Sequence, residues 1–195
     1  MTNEQITQID APDGWASATA EELCDKIQDG THFSPKVQLD EGEFPYITAK
    51  NIRPWGMDLA RLTYLREEDH RQIYRRCDAR KGDVLLVKDG ANTGDVCVNT
   101  LDGEISLLSS VCMLRPKDTL LAAGFLRYYL QSPLGSESLT GRMTGTAIRR
   151  IILRRIKRTP VVLCSLAEQH RIVEAIESYF TRLDDAVATL ERVQR

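Results

Sequence analysis

The feature that most restricts this chain is its last thirty residues, Leu166 to Arg195, where apolar side chains recur in an unbroken heptad pattern. Val173, Ile176, Phe180, Leu183, Val187 and Leu190 advance by three and four residues alternately, so a helix sets all six along one seam. Ser165 with Glu168 three residues on is a capping-box pattern that starts such a helix by satisfying orphan backbone amides. Ile172, Tyr179, Ala186 and Val193 widen the stripe on one flank beyond the seam of a simple two-stranded coil. That width calls for more than one packing partner.

The segment just before the helix is unlike the rest of the chain in charge. From Ser138 to Ala167 the charged residues are Arg142, Arg149, Arg150, Arg154, Arg155, Lys157 and Arg158, with no acid among them. The whole chain carries −2, so the remainder outside these seven cations carries −9. Such polarity concentrates positive potential on one part of a surface, as phosphate binding requires. A basic surface joined to an assembly helix suggests a nucleic-acid reader built into a complex. The plainer reading is that these arginines pair with the acid-rich remainder.

A length of 195 residues suits one ordinary domain with an appended helix. Five cysteines stand far apart, with no C-x-x-C pair and no histidine at ligand spacing, so neither zinc nor a disulfide framework is indicated. Their odd number suits a reducing cytoplasm. Met1 to Asp13 is polar and lacks an apolar core, which argues against a secretory signal, and no apolar run approaches the length of a membrane span. The expectation is a soluble cytoplasmic protein with no membrane partner.

Along the chain, Trp15 to Gln28 reads as one short element packed through Trp15, Leu23 and Ile27, broken by Asp29-Gly30. Phe44 to Ile52 reads as a strand and Glu67 to Arg76 as a short polar helix. Asp83 to Lys88 is a compact apolar run of the buried-strand kind, and Asp89 to Gly94 turns it into a hairpin partner at Asp95 to Val98. A strand over Ser109 to Arg115 and a helix over Thr119 to Gln131 follow, with Ser132-Pro133 as the stop. Strands dominate the middle and helices the end, which points to the α+β class.

Catalytic chemistry is not indicated. Gly90 and Gly94 lie in a turn, with no following helix to set against a phosphate. His32, His70 and His170 sit in no nucleophile motif, and Glu67-Glu68 and Asp184-Asp185 are adjacent on helices, where neighbours diverge. The chain is expected to be non-catalytic and to hold neither metal nor cofactor.

Several stretches together carry a family likeness: Asp29-Gly30-Thr31-His32 with Pro35, Phe44 to Ile52, Lys81-Gly82-Asp83-Val84-Leu85-Leu86, and Asp89-Gly90 to Gly94. Gly145-Thr146-Ala147-Ile148, Pro160 and Leu166-Ala167-Glu168-Gln169-His170-Arg171-Ile172-Val173 extend it. In this order they resemble the target recognition domain of type I restriction-modification specificity subunits and its passage into a conserved helix. The resemblance implies a mixed or antiparallel sheet in a recognition domain over residues 1–164 and a coiled-coil dimerisation or spacer helix over 165–195. It implies double-stranded DNA as ligand and a methyltransferase subunit as partner, with S-adenosylmethionine bound by that partner, and in some systems a restriction or translocase subunit as well. The family's usual chain holds two recognition domains and two antiparallel helices. One of each is present here, as in a half-subunit or a fragment, and Val162 to Ser165 lacks the proline the family tends to place before the helix.

Candidate DNA contacts follow from charge and position. Arg142, Thr144, Thr146, Arg149, Arg150, Arg154 and Arg155 form the main group, with Ile148, Ile151, Ile152 and Ile156 interleaved to pack on a core. Lys36, Lys50, Asn51, Arg53, Lys88 and Asn92 lie beside the family-like loops. Val173, Ile176, Phe180, Leu183, Val187 and Leu190 are the candidate homodimer seam. Two other readings stay open on the residues: a transcription regulator that dimerises through the helix, and a metal-dependent nuclease built from scattered acids.

Overall fold

Residues 11–33, 35, 38–141 and 150–193 are described by the computed structural model. In chain order the elements begin with β1 (Ala16–Thr19), α1 (Ala20–Leu23), β2 (Cys24–Asp29) and β3 (Phe44–Ile47). After a 3-10 turn at Ala49–Asn51 come β4 (Ile52–Arg53), β5 (Gly56–Met57), β6 (Thr63–Leu65) and α2 (Glu67–Tyr74). Next are β7 (Val84–Val87), β8 (Val96–Val98), β9 (Ser106–Leu107) and β10 (Val111–Pro116). The end of the chain holds α3 (Ala123–Gln131), α4 (Pro133–Thr140), α5 (Leu153–Arg158), β11 (Pro160–Leu163) and α6 (Leu166–Val193).

The apolar run in β7 is buried at every position, because it lies inside a four-stranded antiparallel sheet of order β2-β10-β7-β8 that is covered on both faces. Side chains of a strand alternate between faces, and the two cores divide accordingly. Val84 and Leu86, with Cys112 and Leu114 of β10, pack against Phe125, Leu126 and Leu130 of α3 and against Ile151 and Ile156. Leu85 and Val87, with Val111 and Met113, pack on the opposite face against Ile47, Ile52, Ile105 and Leu107. Beyond that second face, β6-β3-β9 forms a mixed sheet in which β3 and β9 run parallel. The sheets and the long C-terminal helix agree with the expected α+β class.

Local chemistry explains where the elements differ from the sequence reading. Trp15 to Gln28 is three elements rather than one. Thr19 leaves β1 and caps α1 through a full capping box with Glu22, and the helix gives way to β2 within one turn. Phe44 to Ile52 is interrupted after Ile47 because Thr48 and Asn51 form a second capping box around the 3-10 turn. Ser132-Pro133 ends α3 but also starts α4. Ser132 Oγ accepts from Gly135 N at 3.2 Å, and Pro133 occupies the first turn, where a missing amide costs nothing.

β1 pairs antiparallel with β11, so the end of the basic segment is sewn to the beginning of the chain. α6 then starts with Ser165 Oγ accepting from Glu168 N at 3.3 Å, while the Glu168 carboxylate pairs with Arg171 rather than closing the box. Ile172 and Val173 pack on the core. A Cβ placed on Gly124 of α3 would stand 3.1 Å from Val173 Cγ1, so the two helices meet where glycine leaves room. Gln169 is fully buried: Oε1 accepts from Ala122 N, and Nε2 donates to the carbonyls of Leu120 and Cys164. Farther on the seam is bare, with Phe180 54%, Leu183 58%, Val187 46% and Leu190 63% exposed. The seam therefore serves its own domain at Val173, makes a last contact where the half-exposed Phe180 ring stacks 6.4 Å from Tyr128 of α3, and leaves the domain from Leu183 onward.

Among the described residues no helix is long and apolar enough to cross a membrane. The cysteines are all free, and burial pushes the thiols of Cys24, Cys77 and Cys97 up to about 12. These thiols are core residues held in the unreactive form.

Candidate nucleic-acid interface

One end of the central sheet gathers the family-like loops. Asp29 at the close of β2, Val111 at the opening of β10, Val87 at the close of β7 and Val96 at the opening of β8 share that end, because each neighbouring pair is antiparallel. The loop after β2 is pinned there: Thr31 N donates to Leu107 O at 2.8 Å, and Ser109 N donates to Thr31 O at 2.8 Å. Lys88 N donates to Ser110 O at 2.8 Å. The chain arrives at the same rim at Arg150, which bridges Asp89, and Ile151 N donates to Lys88 O at 2.8 Å. Ile151 is the anchor, since it is fully buried while Arg150 beside it is exposed.

A chain of ion pairs runs through the rim. Asp29, 5% exposed, receives Arg76 at 2.9 Å, His32 Nε2 at 3.2 Å and Lys88 at 3.9 Å. Lys88 gives its ammonium to Asp89 at 2.7 Å, and the other Asp89 oxygen accepts from Arg150 Nε at 3.0 Å. Three permanent cations thus meet two carboxylates, with histidine as a conditional fourth. The Arg150 side chain is 62% exposed, and an ion pair in water is held by at most about 1 kcal/mol. A phosphate can therefore replace Asp89 as its partner at small cost.

The other sequence candidates fall into three groups. Arg154 on α5 and Lys50 are exposed; Arg53 is half-buried, donating to the carbonyls of Ala49 and Ile52; Asn92 is half-buried in the Asp89 to Gly94 turn. Asn51 and Lys88 are corrected by the fold. Asn51 is 2% exposed and its amide is spent on Thr48 and on Asp58 O, and Lys88 is 3% exposed and neutralised, so neither side chain faces a ligand. Arg155 also points inward, to the carbonyl of Ser138 at 3.3 Å in the last turn of α4, where a cation complements the free carbonyls of a helix end. Lys36, Arg142, Thr144, Thr146 and Arg149, with Ile148, lie outside the described residues.

Sequence reasoning missed two aromatic residues at this end of the molecule. Phe33, 43% exposed, follows His32 in the first loop, and Trp55, 76% exposed, forms the tip of the β4–β5 hairpin. The signal was present in both cases as an aromatic residue inside a turn sequence, Thr31-His32-Phe33 and Pro54-Trp55-Gly56, where no core is available to receive it. The histidine and carboxylate groups that attract attention elsewhere are structural. His70 is fully buried between Ser106 Oγ and Glu104, each 2.9 Å away, and stacks on Phe44. Its bond to Glu104 is the main reason that carboxyl is held below its ordinary range.

Comparison with known proteins fits this geometry. Residues 12–192 match the family model described as the type I restriction modification DNA specificity domain. The specificity subunit of the type I restriction enzyme EcoBI from Escherichia coli is 27% identical over 160 residues, covering 82% of this chain and 31% of that protein. A chain from a structure on complex assembly and conformational transition of the type I R-M system superposes with a TM-score of 0.67 at 26% identity, covering 96% of this chain and 43% of that one. The HsdS subunit from Thermoanaerobacter tengcongensis shares the fold, with a TM-score of 0.66 at 18% identity over 92% of this chain and 45% of its own. This chain therefore spans about a third of the curated relative (31%) and less than half of these solved chains (43% and 45%). With nearly all of its described length matched by one family model, the chain belongs to the type I restriction modification DNA specificity domain family.

Proposed function

We propose that this chain is a non-catalytic DNA-reading unit that directs a partner methyltransferase, and in some assemblies a restriction or translocase subunit, to a split DNA target. The observation that carries this reading is the convergence at one sheet end of the loops at Thr31, Asp89 and Ser109 with the basic segment at Arg150, on top of family membership. S-adenosylmethionine and the transfer chemistry are assigned to the partner. Residues up to Cys164 supply recognition and α6 supplies assembly.

The test is direct. Arg150→Ala with Arg154→Ala should weaken duplex binding and lower the slope of log affinity against log salt by about 0.9 per lost phosphate contact. Both side chains are exposed, so the fold should survive. A folded double variant with wild-type affinity and slope would remove these arginines from the interface.

The partner of the bare seam is proposed to be a second copy. Phe180, Leu183, Val187 and Leu190 are exposed along one stripe, and an antiparallel pair of 28-residue helices, each about 42 Å long, would set two reading domains about one DNA turn apart. A twofold axis then implies an inverted-repeat target. Phe180→Glu with Leu183→Glu should convert a dimer to a folded monomer in light scattering. A wild-type chain that is already monomeric at micromolar concentration would assign the seam to a different partner.

A further inference from the structure

The β4–β5 hairpin is a small device with no role in the fold that accounts for its tip. Pro54 and Trp55 form its loop between the paired residues Arg53 and Gly56. The loop is clamped from below, since Arg127 donates to Pro54 O at 2.9 Å and Gln131 Nε2 donates to the same oxygen at 2.7 Å. Trp55 itself is 76% exposed, the highest figure among the large exposed hydrophobic residues described. A flexible loop hides an aromatic residue when it can. This one holds it out on a fixed support, which reduces the ordering cost of a stacking contact.

The position of the hairpin identifies what it meets. Gln131 Nε2 also donates to Val96 O at 2.9 Å, so the Pro54 carbonyl lies beside the last rung of the central sheet, two residues from the turn ending at Gly94. Arg53, on the same hairpin, acts electrostatically on Asp95 at that turn. Trp55 therefore flanks the rim on the β8 side, while Arg150 and the Asp89 pair occupy its middle. The charges at the hairpin are mixed: Arg127 reaches Pro54 O, and Arg53 has two acids near it, Asp58 at 3.9 Å and Asp95 within electrostatic reach. An exposed indole with no apolar patch around it among the described residues, held on a rigid tip beside the rim that carries the exposed Arg150, matches the chemistry of a stacked or partly opened nucleic acid better than that of an apolar protein groove.

We propose that Trp55 is a DNA-stacking wedge, whose indole inserts against a base step or an unstacked base at the edge of the site read by this domain. This rests on the DNA-reading function proposed above. It assigns to Trp55 a contribution to affinity that involves no phosphate, so its loss should leave the salt slope unchanged.

The chain has two tryptophans, and the other, Trp15, packs 6.3 Å from the Phe125 ring. A Trp15→Phe chain makes Trp55 the only indole reporter. Titrated with short duplex DNA at low salt, with binding followed independently by anisotropy of a labelled duplex, its emission should be quenched and shielded from acrylamide. Trp55→Ala should weaken binding roughly tenfold with an unaltered salt slope, and Trp55→Phe should restore most of the loss. Duplex binding with a normal salt slope, but with Trp55 still open to acrylamide, would overturn the wedge and leave the DNA reading intact. Shielding by the methyltransferase subunit alone, and not by DNA, would also overturn it and make the hairpin a protein dock. No duplex binding under any condition would overturn the DNA reading and the wedge with it.

Discussion

Gly30→Ala is expected to destabilise the domain by about 4 kcal/mol or more, a large share of the roughly 5–15 kcal/mol that holds such a fold. An added Cβ would lie 2.1 Å from Leu107 O, 2.4 Å from Leu107 C and 2.5 Å from Leu108 O. These are backbone atoms of a neighbouring segment and cannot rotate away. Relief requires the first loop to lift, which breaks Gly30 N to Val111 O, Thr31 N to Leu107 O and Ser109 N to Thr31 O together. Each such bond contributes about 0.5–1.5 kcal/mol. Urea unfolding followed by circular dichroism measures the loss, and a midpoint close to wild type would mean that the close packing of these loops is not what holds the rim.

Asp83→Ala should cost about 3–5 kcal/mol for a different reason. Asp83 is 2% exposed and accepts two bonds from one guanidinium, Arg115 Nε and one terminal nitrogen, both at 2.9 Å, as well as Arg80 N at 2.9 Å. Arg115 is itself largely covered, and its hydrogen bonds to Asp83 are the first cause of its raised pKa. Removing the carboxylate strips the largely covered Arg115 of its two-point partner, leaving it Asp78 at 3.2 Å, and leaves the Arg80 amide without its acceptor. Asp83→Asn keeps the shape and loses the charge, so it should fall between the two. A denaturant midpoint for Asp83→Ala within about 1 kcal/mol of wild type would show that Asp78, already 3.2 Å from Arg115, is pairing enough for that cation.

What could be read from the sequence follows from how each signal is generated. Val84 to Val87 was legible as a buried strand because both faces of the sheet are covered, and Asp89 to Gly94 because a hairpin needs such a turn. The helix from Leu166 was legible because heptad spacing reports geometry directly. Direction was not legible. Asn51 and Lys88 have the right chemistry for DNA, but a local capping box with Thr48 turns Asn51 inward. Lys88, at the end of the buried strand β7, pairs with its neighbour Asp89 and lies 3.9 Å from the buried Asp29, a partner that only the tertiary fold supplies. Arg155 was out of reach for a linked reason. It serves the end of α4, and α4 was hidden because Ser132-Pro133 reads equally as a stop and as a start. Trp55 was passed over because residue type alone does not tell a core indole from one held in solvent.

The buried amide of Gln169 has a mechanical consequence. Apolar contacts such as Val173 on Gly124 tolerate small slides of one helix over another, whereas an amide that serves Ala122 N, Leu120 O and Cys164 O at once fits a single position. It makes the root of α6 a fixed joint rather than a swivel. The free end of the helix then acts as a pointer, and an error of a few degrees at the joint becomes a displacement of several ångströms at its tip. On the proposed assembly, accuracy in placing a second copy along the DNA depends on a glutamine inside the protein, eleven residues before Phe180 in the sequence.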